Sequence, residues 1–208
     1  MQAYLAEIVG SEDLVDRALE LLIVSGGQRP KQLLRVPVTG VNLREATMLL
    51  YDPKGRRKTP RPHLVPLGPR GLEIAAALVE RAKKLSSPYL FSITGTHQLL
   101  SYPVSRRVAD IRAKLKKEEK LTGGHFMLKD VRRTAETYLV ALGVLKDFRG
   151  QLLSHGISGV QSKHYDMHDY LAEKRDAVAR LERRLAQTES GDFGSPKVVA
   201  LARRSQAA

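Results

Sequence analysis

The hydrophobic period changes twice along this chain, and that change limits the fold more than any single residue does. Residues 12–24 place Leu14, Ala18, Leu21 and Leu22 at helical spacing, and Gly26 and Gly27 follow at once. Residues 36–67 carry short β-like runs instead, at 36–38, 48–51 and 63–67, separated by the loop-forming stretch DPKGRRKTPRP. Helical spacing then returns near 70–85 (Leu72, Ala75, Ala76, Val79) and near 103–118 (Val104, Val108, Ile111, Leu115). It recurs from Leu128 to Gly143, at about 145–153, and at about 169–187 through Val178, Leu181 and Leu185. The expectation is a mainly α protein with one small three-stranded antiparallel sheet. Ser11 is the expected cap of the first long helix, with Glu12 and Asp13 complementing its dipole. After Gln187 the composition becomes that of a linker, ESGDFGSP. A strand-like run at 197–201 and a polar end follow.

Charge narrows the class of partner. The 208 residues hold 35 Lys and Arg against 22 Asp and Glu, a net +13. Such an excess costs self-repulsion and points to a polyanion. The charge lies in blocks. Residues 1–20 are acidic, with Glu7, Glu12, Asp13, Asp16 and Glu20 against Arg17. Residues 51–70 carry Lys54, Arg56, Arg57, Lys58, Arg61 and Arg70 against Asp52, and 106–133 form a second basic block. No Cys is present, which removes disulfide scaffolds, thiolate metal sites and Cys nucleophiles. The N-terminus lacks a basic flank and long apolar run, and no apolar stretch is long enough to span a bilayer. A soluble protein in a reduced compartment, with no membrane partner, is expected.

Four segments carry the chemistry. In SGGQRPKQLLR, Arg29 stands before Pro30 at the start of a helical turn, where backbone N–H groups favour an anion. KTPRPHLVPL puts Lys58 at the hairpin tip. LKDVRRT sets Lys129 and Arg132 three apart on a first helical turn. LLSHGISGVQSKHY places His155 ten residues before Tyr165. Taken singly, each has an ordinary reading: a surface or capping Arg, a solvated Lys, a packed His, a half-buried Tyr. Together, two arginines, one or two lysines, a histidine and a tyrosine, with no acidic metal cage, suit phosphoryl transfer without a metal. Arginine forks neutralise non-bridging oxygens, a tyrosine oxygen attacks, and a lysine protonates the leaving oxygen.

These segments, in this order, resemble the catalytic domain of the tyrosine recombinases, the phage integrase family, of prophage or satellite-phage type. The resemblance covers about residues 10–187. It implies Arg29 and Arg132 as the two arginines, Lys58 as the lysine of the β-hairpin and His155 in the Leu-Gly-His segment. It implies Tyr165 as nucleophile, with Lys129 in the His-x-x-Arg box where most members have His. The 23 positions from Arg132 to His155 are typical spacing for the family, while the ten from His155 to Tyr165 exceed the compact form by one. Tyr170 is the alternative register, read here as a packing or capping residue. Gln32 stands where the family often has Glu, and Lys54 is a weaker alternative to Lys58.

What the resemblance implies is a site-specific recombinase or integrase acting in DNA integration and recombination for a mobile element. Strand cleavage and rejoining would pass through a 3′-phosphotyrosyl intermediate, with no metal and no cofactor. It also implies double-stranded DNA as partner, a tetramer on DNA that is a monomer when free, and a bacterial cytoplasmic location at the nucleoid. Residues 1–187 are expected to form the catalytic domain and 188–208 a flexible tail with a docking strand at 197–201. The usual N-terminal core-binding domain is expected to be absent, which predicts weak DNA affinity. Two rival classes remain: a non-cutting DNA-binding module of the same fold, and a basic RNA-binding protein. The low aromatic content, 5%, argues against the latter.

Overall fold

The computed structural model describes residues 1–53, 60–155 and 170–192. Eight helices and one sheet fill these residues. They are α1 (Gln2–Leu5), α2 (Leu14–Val24), α3 (Pro30–Leu33), β1 (Val41–Asn42), β2 (Thr47–Asp52), β3 (Arg61–Pro66), α4 (Pro69–Lys84), α5 (Ser101–Lys117), α6 (Leu128–Ala141), α7 (Lys146–Leu153) and α8 (Leu171–Ser190). A single 3-10 turn, Val38–Gly40, leads into β1. The architecture is the mainly helical one expected, with a three-stranded antiparallel sheet in the order β1-β2-β3. None of the described helices is long and apolar enough to cross a membrane.

Helix α2 is the centre of the molecule. Leu19, Leu21, Leu22, Ile23 and Val24 are all buried, so its apolar surface wraps most of the circumference. It packs against α4, α5, α6 and α8. Each of those neighbours offers one apolar stripe: Ile74, Ala75, Leu78 and Val79 from α4, Val104, Val108, Ile111 and Leu115 from α5, Val131, Ala135 and Leu139 from α6, and Ala177, Val178, Leu181 and Leu185 from α8. Fully burying a side chain of this size stabilises by roughly 1.5–3 kcal/mol, which is why the stripes decide the packing.

Two glycines at the end of α2 permit the close approaches that build the site. Gly26 and Gly27 have φ of +97° and +80°. A Cβ on Gly27 would lie 2.8 Å from the Ala135 Cβ and 3.2 Å from the Arg132 Cα; one on Gly26 would lie 2.8 Å from the Leu152 side chain. The chain leaving α2 therefore runs directly against α6 and α7.

Strand β2 alternates between the core and solvent. Met48, Leu50 and Asp52 are buried, and Tyr51 is exposed. It pairs with β3 over six residues, from Thr47 opposite Pro66 to Asp52 opposite Arg61. Asp52 and Arg61 therefore lie together at one end of the sheet.

Two local expectations are corrected. The cap of α2 is Asp13, whose carboxylate accepts from the backbone N–H of Val15 at 2.8 Å and of Asp16 at 3.1 Å. Ser11, two residues earlier, instead accepts from the Asp13 N–H and donates to Asp16. The run 36–38 is not the first strand of the sheet. Its backbone partners lie beyond α4: Leu90 N–H donates to Val36 C=O, and Val38 N–H donates to Pro88 C=O. The sheet takes 41–42 as its first strand instead. At the other end, α8 runs to Ser190, three residues past the expected boundary, and 197–201 lies outside the described residues.

The acidic block at the N-terminus is used inside the fold. Asp16 holds Arg107 through both carboxylate oxygens at 2.7 and 3.0 Å, and Glu7 pairs with Lys114. Glu20 takes the Arg70 Nε–H at 2.7 Å, and a second Arg70 donor bonds Glu189 near the end of α8. Glu182 of α8 accepts from the backbone N–H groups of Arg70 and Gly71, capping α4 from across the core. Several arginines of the basic blocks are thus tied up internally.

Candidate active site

The two arginines arrive from different elements and meet on consecutive carbonyls. Arg29 is the N-cap residue of α3, held in extended conformation before Pro30. Its Nη1 donates to Asp52 Oδ2 at 3.1 Å, and both terminal nitrogens reach the Ser154 C=O, at 3.3 and 3.4 Å. Because α3 is one turn long, its dipole is small, and the guanidinium rather than the helix end is the anion-binding feature. Arg132, on the second turn of α6, is turned inward. Nη1 donates to Gly27 C=O and Nη2 to Leu153 C=O, each at 2.7 Å. Burial, and then the neighbouring Arg29 charge, push its pKa down to about 10, so it stays protonated at neutral pH.

His155 follows these carbonyls directly. Helix α7 ends with Ser154 in the left-handed conformation, φ +51° and ψ +45°, and the His155 N–H returns to Gly150 C=O at 3.0 Å. The imidazole is half-exposed, with Nε2 3.6 Å from Glu136 Oε1. The structure therefore brings Arg29, Arg132 and His155 to one place, residues 153–155. Lys129 is exposed on the first turn of α6 and makes no hydrogen bond within the described residues, while Arg132, three residues on, points inward. Lys58, Lys54 and Tyr165 lie outside the described residues. Tyr170 is the N-cap of α8 in left-handed conformation, its ring 6.1 Å from that of Phe148.

Three supporting groups escaped the reading of the sequence. Asp52 and Ser154 are buried beside Arg29, and the Ser154 hydroxyl donates to Asp52 at 2.7 Å. His63 is buried under the same carbonyls. Its Nε2 lies 3.1 Å from Leu152 C=O and 3.3 Å from Gln28 Oε1, both acceptors, so the proton of the neutral ring belongs on Nε2. Burial, reinforced by Lys174 and Arg61, pushes its pKa down to about 3. The available signal was the period of two: 48, 50 and 52 share one face, as do 61, 63 and 65, so Asp52 and His63 had to point inward. Among the described residues, no group of three or more His, Asp or Glu side chains is arranged to hold a metal ion.

The profile of the phage integrase family matches residues 1–169. The chain belongs to the phage integrase family. No protein of curated function matches it in sequence. Solved recombinases share its fold. The integrase from mycobacterium phage Brujita superposes with a TM-score of 0.61 at 19% identity, over 90% of this chain and 60% of its own. XerH site-specific recombinase bound to difH substrate, a pre-cleavage complex, gives 0.56 at 17% identity, over 90% of this chain and 51% of its own. XerA recombinase gives 0.53 at 16% identity, over 84% and 64%. The chain thus spans between half and two thirds of the length of these proteins.

Proposed function

We propose that this chain is the catalytic domain of a site-specific recombinase that cuts and rejoins duplex DNA through a covalent tyrosine intermediate. The observation that carries the reading is the convergence of Arg29 and Arg132 on adjacent carbonyls, with His155 next in sequence. Two fixed guanidinium groups from different elements are what a phosphodiester in transition requires on its non-bridging oxygens. Tyr165 Oη attacks phosphorus and releases its phenolic proton to solvent water, the bond from phosphorus to the 5′ oxygen breaks, and Lys58 delivers the proton that the leaving oxygen takes. His155 contacts a non-bridging oxygen, and Lys129 assists as a further cation. Rejoining is the reverse, with a 5′-hydroxyl attacking the phosphotyrosine. The bond energy is kept in the ester, so the scheme calls for no nucleotide cofactor.

The partner is double-stranded DNA, bound weakly by this domain alone, as a monomer when free and a tetramer on two duplexes. The run 197–201 is the candidate docking element between protomers, and the working location is the bacterial cytoplasm at the nucleoid. Incubating the chain with a nicked suicide duplex in EDTA tests this reading. A denaturation-resistant protein–DNA adduct that is lost in Tyr165→Phe supports it. Salt-sensitive binding without an adduct, even with a core-binding domain fused upstream, favours the non-cutting module.

A further inference from the structure

Arg29 does not reach its position unaided. Its anchor is Asp52, a carboxylate only 5% exposed at the last residue of β2. Asp52 Oδ1 accepts from the Gln32 side-chain amide at 2.7 Å, and Oδ2 accepts from Arg29 at 3.1 Å and from the Ser154 hydroxyl at 2.7 Å. A buried carboxylate this well satisfied is a fixed point, since moving it would strand several hydrogen bonds at once.

The direction of the relay is set by chemistry. Arg61 Nη2 donates to Ser154 Oγ at 2.5 Å, and a guanidinium cannot accept. The single hydroxyl proton of Ser154 must therefore go to Asp52. Ser154 joins three parts of the molecule: its hydroxyl ties β2 to β3, its carbonyl receives the Arg29 fork, and its peptide leads into His155. Asp52 and Arg61 also face each other across β2 and β3, and Lys58 lies between them in sequence.

We infer that Asp52 is a positioning residue of this site, which through Gln32 and Ser154 holds Arg29 in register with His155 to receive a phosphate oxygen. The inference deepens the recombinase reading and rests on it for the identity of the phosphate. A positioning role and a bare charge effect differ in sign. If Asp52 acted only as a nearby negative charge, Asp52→Asn would remove repulsion and strengthen anion binding. If it holds Arg29 in place, the amide, which puts a donor where Gln32, Arg29 and Ser154 all donate, releases the clamp and weakens it.

The experiment uses the full chain and two readouts. Inorganic phosphate is titrated while the His155 imidazole proton is followed by NMR, assigned with His155→Gln, and single-turnover adduct formation is measured on the nicked duplex at saturating DNA. For Asp52→Asn the expected results are phosphate affinity weaker by about 10-fold and an adduct rate lower by 10-fold to 100-fold, with DNA affinity and its salt dependence unchanged. Ser154→Gly serves if the first variant folds poorly, because glycine accepts the left-handed backbone freely. It removes the hydroxyl together with its Cβ while leaving the Ser154 carbonyl in place, and both readouts should fall about 3-fold to 10-fold. Phosphate affinity that rises in Asp52→Asn, or folded variants that keep both parent values, would overturn the inference. So would a parent chain that binds no phosphate. A parent that binds phosphate, with the affinity loss in Asp52→Asn, yet forms no adduct would leave Asp52 its role and sink the cutting function instead.

Discussion

Acid should loosen this protein through one side chain, His63. Its folded pKa is pushed down to about 3, against about 6.5 for an unperturbed histidine. Between those values the unfolded chain takes up a proton that the folded chain refuses. Protons thus favour unfolding, and stability is lost as pH falls below about 6.5. The slope for one such group is about 1.4 kcal/mol per pH unit, so moving from pH 7.5 to pH 5 should remove about 2 kcal/mol. Other histidines and the upper tail of the carboxylates also titrate there, so a double difference isolates the effect. His63→Gln retains an amide donor for Leu152 C=O but has no titration in this window. Urea unfolding of both proteins at pH 7.5 and pH 5 should give a parent that loses about 2 kcal/mol more than the variant. Equal losses would refute the reasoning, for His63 would then be protonated or solvated in the folded state.

Further outcomes follow from the same contacts. Arg132→Lys keeps a charge but cannot bond Gly27 and Leu153 carbonyls together, so the single-turnover adduct rate should fall about 100-fold or more; a rate within 3-fold of the parent would argue against the clamp. Gly27→Ala forces a methyl to 2.8 Å from Ala135 at φ +80° and should cost about 1–3 kcal/mol in chemical denaturation, unlike a change at the open Gly123. Glu182→Ala uncaps α4 from across the core and should cost about 1–2 kcal/mol, read as a lower urea midpoint with unchanged slope. Lys129→Ala, exposed and unbonded within the described residues, should leave thermal stability unchanged while lowering the adduct rate.

The sequence yielded what is local and periodic. Helices α4, α5 and α6 follow their apolar spacing, because one buried stripe against α2 is enough to define each. Arg29 and Arg132 stand out for the same reason, each beside punctuation that fixes the backbone: Pro30 after one, and the start of α6 four residues before the other. What depended on partners far along the chain was not legible. Residues 36–38 have β-type side chains, but their hydrogen bonds go to Pro88 and Leu90, and nothing near Val36 announces that. Asp52 read as one acid in a basic stretch. Its meaning comes from Gln32, 20 residues before it, and Ser154, 102 after it. Ser11 and Asp13 are both cap-type residues, and what makes Asp13 the cap is where the chain begins to coil.

The most direct test of the central claim is to find the atom that holds the DNA. Adduct formed in EDTA on a nicked suicide duplex is digested to a short nucleotide stub, and the modified peptide is sequenced by mass spectrometry. The account predicts a single phosphodiester on Tyr165, absent in Tyr165→Phe. A stub on Tyr170, or an adduct that persists when Tyr165 is Phe, would contradict it.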